Sequence, residues 1–204
     1  MLSWVLPRLL LCLLIFSPTA HAADAGDEAL WQRLRGNGVI VLMRHAATTP
    51  GVGDPPGFDL GKCATQRNLS AAGRDDARAI GAAFRHHNIV PGGVWSSRWC
   101  RCLETARLAF DGVKPEATLD SMFRVDQASG AARVRDLHNR LEEWRGVGPL
   151  VLVTHDVNIR ALTGEYVAQG EMVLTVLREG RLDVIGRLNA HGGRQAAAVP
   201  TGAR

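Results

Sequence analysis

Val39-Ile40-Val41-Leu42-Met43-Arg44-His45-Ala46 is the stretch on which the reading of this chain turns. Five apolar residues in a row, β-branched at the first three, leave no polar face. That predicts a short strand covered on both sides, as in the interior of a parallel sheet. The run then ends abruptly in an arginine and a histidine. In open α/β sheets ligands bind beyond the carboxyl ends of the strands, so Arg44 and His45 stand where chemistry is expected. A second buried run, Leu150 to Thr154, also ends in a histidine, followed by an acid: His155-Asp156.

Outward from these two runs, strands alternate with helices. Glu28 to Arg35 is a short helical candidate ended by Gly36-Asn37-Gly38. Ser70 caps a helix to about His87 whose apolar face is Ala77, Ile80, Gly81 and Phe84. Val94 to Ser97 is a short strand, and Trp99 to Phe110 a helix with Arg101 in its first turn. Ala131 to Trp144 is amphipathic on Val134, Leu137, Leu141 and Trp144, and Val157 to Leu162 begins a helix closed by Gly164. Met172 to Leu177 and Arg181 to Leu188, joined through Glu179-Gly180, read as a terminal hairpin of alternating polarity. Two segments resist regular structure. Ala46 to Arg67 is broken by prolines and glycines and reads as a lid or specificity loop. Asp111 to Gly130 is irregular, with Leu119, Met122 and Phe123 expected to pack beneath it. The pattern predicts an α/β fold: three-layer αβα, with a mostly parallel central sheet and an antiparallel edge.

Composition narrows the class. Arg8, the apolar run Leu9 to Phe16 and Ala20-His21-Ala22 have the layout of a secretory signal peptide, with the cut after Ala22. Eight apolar residues fall well short of the ~20 needed for a membrane span. The expectation is therefore an exported chain, periplasmic or secreted, with no span in the mature part. It has one domain over residues 23–190 and a loose tail over 191–204. The chain has a formal net charge of +4 among 24 Lys and Arg, of which only Lys62 and Lys114 are lysine. Arginine's planar fork suits phosphate or carboxylate, and no basic stripe or known module points to nucleic acid. Of three cysteines beyond the leader, Cys100 and Cys102 lie too close on one helix to face each other. A bridge from Cys63 to one of them is expected, and the helical projection favours Cys100.

Two histidines and two arginines, Arg44, His45, Arg101 and His155, converging at one rim would make a cationic pocket with a nucleophile, suited to a phosphoryl group. Four motifs carry a resemblance. They are Arg44-His45-Ala46 after a buried strand, Leu69-Ser70-x-x-Gly73-Arg74, Ser96-Ser97-x-x-x-Arg101-x-x-x-Thr105-Ala106, and Thr154-His155 before a short helix. Together and in this order they resemble the phosphoglycerate mutase-like histidine phosphatase superfamily, particularly its exported branch of lipopolysaccharide core heptose phosphate phosphatases.

The resemblance implies that His45 becomes phosphohistidine while Arg44, Arg101 and His155 clamp the phosphoryl oxygens, with no cofactor and no metal. The family's third motif residue is commonly glycine and is Ala46 here, acceptable if the backbone is not in a glycine-only conformation. Many relatives carry a glutamate where this chain has Ser121. The resemblance therefore leaves Asp156 as the first candidate for leaving-group acid and Asp120 as the second. The activity implied is phosphomonoester hydrolysis on a small phosphorylated substrate, such as a sugar phosphate or a lipopolysaccharide core phosphate. A non-catalytic phosphate-ester binding protein is the alternative, motivated by the missing glutamate. A metal-dependent hydrolase fits poorly, because no carboxylate-rich ligand set accompanies the histidines. Arg67, Lys62 and Arg124 could extend the pocket toward a second anion, though each also reads as solvated surface.

Overall fold

The computed structural model describes residues 19–51 and 53–189. Residues 1–18 of the expected leader and the whole expected tail, 191–204, lie outside the described residues. Five helices and six strands follow in the order α1 (Thr19–Leu34), β1 (Val39–Arg44), α2 (Ala71–His86), β2 (Gly93–Ser96), α3 (Cys100–Ala109), β3 (Val113–Pro115), α4 (Gln127–Glu143), β4 (Leu150–Thr154), α5 (Asp156–Thr163), β5 (Met172–Arg178) and β6 (Arg181–Leu188). The first helix begins upstream of both Glu28 and the expected cut after Ala22.

The strands form one sheet in the order β3-β2-β4-β1-β5-β6. The first four are mutually parallel, and β5 and β6 run antiparallel to complete the far side. This is the αβα fold expected, with one added element. Val113–Pro115, read as irregular, supplies a three-residue strand at the sheet edge, where a proline without an N–H is tolerated.

Period two on β1 divides the core. Val39, Val41 and Met43 face a layer formed by Trp31 and Leu34 of α1, Ile80 and Phe84 of α2, and Ala106 of α3. Ile40 and Leu42 face the opposite layer, built on Leu137 and Leu141 of α4 and Ile159 of α5. Strand β5 does not alternate as expected. Its first five residues are all buried, because it lies between β1 and β6 with helices on both faces. Phe123, expected to pack inward, is 76% exposed.

Two local devices set the approach to β1's carboxyl end. Ser70 Oγ accepts from Gly73 N at 3.0 Å, capping α2. Gly73 itself lies against the chain just past His45, where a Cβ would stand 1.9 Å from the Ala47 carbonyl oxygen. Cys63 and Cys100 form a disulfide, with Cα atoms 5.6 Å apart, and Cys102 is a buried free thiol. The bridge ties the far end of the 46–67 loop to the first turn of α3.

Candidate active site

Strands β1 and β4 are hydrogen-bonded neighbours in parallel register, with Arg44 opposite Thr154. Their ends therefore deliver His45 and His155 side by side, with ring centroids 5.6 Å apart. Strand β2, on the other side of β4, ends at Ser96 and leads through Ser97 into α3, whose first turn brings Arg101 in from a third direction. All four residues line one cavity of about 690 Å³.

A backbone hydrogen bond fixes the His45 tautomer. His45 Nδ1 lies 2.8 Å from the Ala46 carbonyl, which can only accept, so Nδ1 carries the proton and Nε2 keeps its lone pair. Burial, with Arg101, Arg44 and Arg67 close by, lowers the His45 pKa to about 3 and keeps the ring neutral. His155 is held well below its ordinary value, chiefly by burial and then by His45 and Arg101. Arg101 Nη2 lies 3.4 Å from His155 Nδ1 and can only donate. The remaining ring nitrogen, Nε2, is 2.9 Å from Ser97 Oγ, a hydroxyl that can accept from it or donate to it according to the His155 tautomer.

The position after His45 is held by the third motif. Ala46 N donates to Thr105 Oγ1 at 3.0 Å, and that hydroxyl donates to the Arg101 carbonyl at 2.7 Å. One threonine thus ties the nucleophile's strand end to the helix carrying Arg101. Ala46 is fully buried and does not have a positive φ, so alanine serves there in place of glycine.

The arginines are positioned by groups that leave donors open. Arg44 Nη1 donates to the Val167 carbonyl at 2.8 Å, and its Nη2 lies 3.5 Å from Asp156. Arg101 Nη1 is gripped by both oxygens of Asp54, at 3.0 and 3.1 Å. Among the described residues, Arg44 Nε, Arg67 Nε and Arg101 Nε are buried without a hydrogen-bond partner. Three guanidinium groups lining the same cavity as a neutral imidazole with a free lone pair suit a tetrahedral oxyanion.

The two candidate acids differ. Asp156 opens α5, its side chain is 51% exposed, and one oxygen faces Arg44. Asp120 also lines the cavity but its side chain is only 4% exposed. Its carboxylate is engaged by the Arg98 guanidinium, by Arg98 N at 2.8 Å and by Ser97 Oγ at 3.4 Å. Of the suggested extensions, Arg67 and Arg124 line the cavity. Lys62 does not; it points outward and pairs with Asp59 at 3.4 Å.

Sequence reasoning overlooked Asp54, Trp99 and Arg98, and quoted Ser97 without a role. Ser97 follows directly on β2's carboxyl end, so the rule that found His45 and His155 would have found it too. Asp54 sits in an irregular loop and carries no such signal.

The sheet order, the two layers and the cationic rim define a phosphoglycerate mutase-like domain. Residues 40–124 match the family described as the histidine phosphatase superfamily (branch 1), so the chain carries that superfamily's fold and, over this stretch, its sequence pattern. A search of curated proteins finds no match to the sequence.

Among solved structures, the chain is similar to the protein histidine phosphatase SixA complexed with tungstate. They share 16% identity and a TM-score of 0.53 over 75% of this chain and 97% of that one. It is also similar to the alpha-ribazole phosphatase of Shigella flexneri, with 18% identity and a TM-score of 0.56 over 74% and 96% of the two chains. A mycobacterial glucosyl-3-phosphoglycerate phosphatase gives 20% identity and a TM-score of 0.52 over 72% and 96%. At these identities the likeness is one of fold. Among the described residues, no helix is long and apolar enough to cross a membrane.

Proposed function

We propose that this protein is a phosphomonoesterase that works through a phosphohistidine at His45. The observation that carries this reading is the Nδ1–Ala46 carbonyl bond, which leaves His45 Nε2 unprotonated in a cavity also lined by Arg44, Arg67 and Arg101. His45 Nε2 attacks phosphorus, the P–O bond to the alcohol breaks, and the departing oxygen takes a proton from Asp156. Water deprotonated by the same carboxylate then attacks phosphorus, the P–N bond breaks, and phosphate leaves with His45 restored to its neutral form. Arg44, Arg101 and His155 hold the equatorial oxygens throughout, guanidinium groups taking the part a metal plays elsewhere. His155 does so as the tautomer protonated at Nδ1, with Ser97 Oγ donating to Nε2. Asp156 is preferred to Asp120 as acid because Asp120's oxygens are already engaged by Arg98 and Ser97.

Export to the periplasm rests on the leader-like segment alone. A lipopolysaccharide core phosphate as substrate rests on that segment together with the motif resemblance. The coarser reading, a small phosphorylated substrate, rests on the cavity and its cations.

Purified protein incubated with 4-nitrophenyl phosphate and a chelator is expected to turn over and to yield an acid-labile phosphoprotein on quenching. His45→Ala is expected to lose both, with turnover down on the order of 10⁴-fold or more. Binding of vanadate without any turnover would instead favour the non-catalytic binding protein. Activity abolished by chelator and restored by zinc would overturn the metal-free mechanism.

A further inference from the structure

The floor of the cavity is cationic, and above it, beside Arg98, Arg124 and Arg133, the lining carries a set of apolar side chains on which the alcohol portion of a substrate can lie. They form a wall assembled from separate segments: Phe58 and Leu60 of the long loop, Trp99 before α3, Phe123 and Val125 between β3 and α4, and Val157 of α5. Phe58 and Trp99 form a tilted aromatic pair with centroids 5.6 Å apart. The polar edge of Trp99 is already used, Nε1 donating to Asp54 at 3.3 Å, so what it offers the cavity is ring. Phe123 extends this surface to the rim with 76% of its area in solvent.

The acidic side chains a polyhydroxylated substrate would call on are each already paired with a cation. Each carboxylate in the lining faces an arginine: Asp54 pairs with Arg101, Asp120 with Arg98 and Asp156 with Arg44. No asparagine, glutamine or threonine lines the cavity, and Ser121 Oγ accepts from Phe123 N at 3.4 Å. A sugar bound here would have to share these paired carboxylates and Ser121 with their present partners while turning most of its hydroxyls toward rings and aliphatic carbons. An apolar body would instead remove the Phe58, Trp99 and Phe123 surfaces from water.

We infer that the substrate is the phosphate monoester of an alcohol whose body is apolar, aromatic or hydrocarbon, seated on the Phe58–Trp99–Phe123 wall. This rests on the phosphatase reading above and replaces the sugar phosphate of the sequence expectation with a different leaving group.

The test compares 2-phenylethyl phosphate with glycerol 1-phosphate and glucose 6-phosphate, all esters of primary alcohols, so that leaving-group chemistry is similar and only the body differs. Burial of a phenyl ring is expected to favour 2-phenylethyl phosphate about tenfold or more in kcat/KM, largely through KM. Phe123→Ala, at an exposed position that the fold does not need, is expected to narrow that ratio several-fold. Calorimetry on His45→Ala protein reads the same preference as binding affinity without requiring turnover. Failure to hydrolyse any of the esters overturns the phosphatase reading. Equal or reversed affinity for the glycerol and glucose esters, or a ratio indifferent to Phe123→Ala, overturns the apolar subsite.

Discussion

Arg44, His45 and His155 reach the cavity from strands hydrogen-bonded to neighbours on both sides, whereas Asp54, Phe58 and Arg67 reach it from a loop held by one disulfide and a few side-chain bonds. The floor is therefore positioned by the whole sheet, and the wall by local ties. Gln66 shows the second kind: its Nε2 donates to the Asp59 and Leu60 carbonyls while its Oε1 accepts from Cys100 N at 3.0 Å. A rigid floor suits groups that must meet a transition state, and a separately tied wall suits groups that only choose the substrate.

The sharpest way to break this contrast is to remove one cation from each region. Arg101→Ala takes a guanidinium from the floor and leaves the Asp54 carboxylate, whose side chain is only 17% exposed, unpaired beside an incoming dianion. A fall in kcat/KM of about 10² to 10³ is expected. Arg124→Ala, on the exposed wall, is expected to change kcat/KM by no more than a few-fold. Equal losses would mean that floor and wall do not divide the work as argued.

The same division explains what could be read in the chain beforehand. The run of residues 39–43 and its twin at 150–154 have a polarity pattern that only buried strands satisfy, and the residues at their ends follow from sheet topology. Arg101 followed from its place in the first turn of a helix. The wall has no period to read. Asp54 is defined by a partner 47 residues away, and the fold of its loop depends on that contact, on Gln66 and on the Cys63–Cys100 bridge together. Phe123 was read as core because it is a large apolar residue, when its surroundings make it part of a cavity mouth. Strand β3 escaped because three residues ending in a proline look like any loop until the neighbouring strand end pairs with them.

Cutting the wall's covalent tie should cost stability before it costs chemistry. Cys63→Ser opens a link between residues 37 apart, and chain entropy sets its contribution at about 3 to 4 kcal/mol. Denaturant unfolding is expected to show a loss of that order, with KM rising more than kcat falls. A loss close to zero would place the loop under the control of Asp54 and Gln66 alone.

Acid tests the floor in turn. The unfolded chain protonates its histidines near 6.5, whereas folded His45 does so only near 3 and His155 well below its ordinary value. Between those limits the unfolded state binds protons that the native state refuses. Stability is therefore fully present above about 6.5 and falls as pH is lowered, by up to about 1.4 kcal/mol per pH unit for each histidine. His155→Gln should flatten that slope by about one proton's share, and an unchanged slope would show that the imidazole does not stay neutral in the fold.

The smallest expected effect lies where wall meets floor, at Asp54. Its carboxylate is held below the usual range despite burial, because Arg67 N and Arg101 bind its charged form. It does two opposed things: it fixes the Arg101 guanidinium, and it puts a negative charge next to the seat of a phosphoryl dianion. Asp54→Asn keeps an oxygen for Arg101 while removing the charge. Inorganic phosphate is expected to inhibit about threefold more tightly, since a partly screened like charge at this range is worth under about 1 kcal/mol. At the same time kcat should fall about threefold, as a neutral amide grips the guanidinium less firmly. Tighter phosphate binding with slower turnover would make Asp54 a residue of the floor's geometry supplied by the wall. Weaker binding would mean that its hold on Arg101 outweighs its charge, and the two regions would then be coupled more closely than their separate construction suggests.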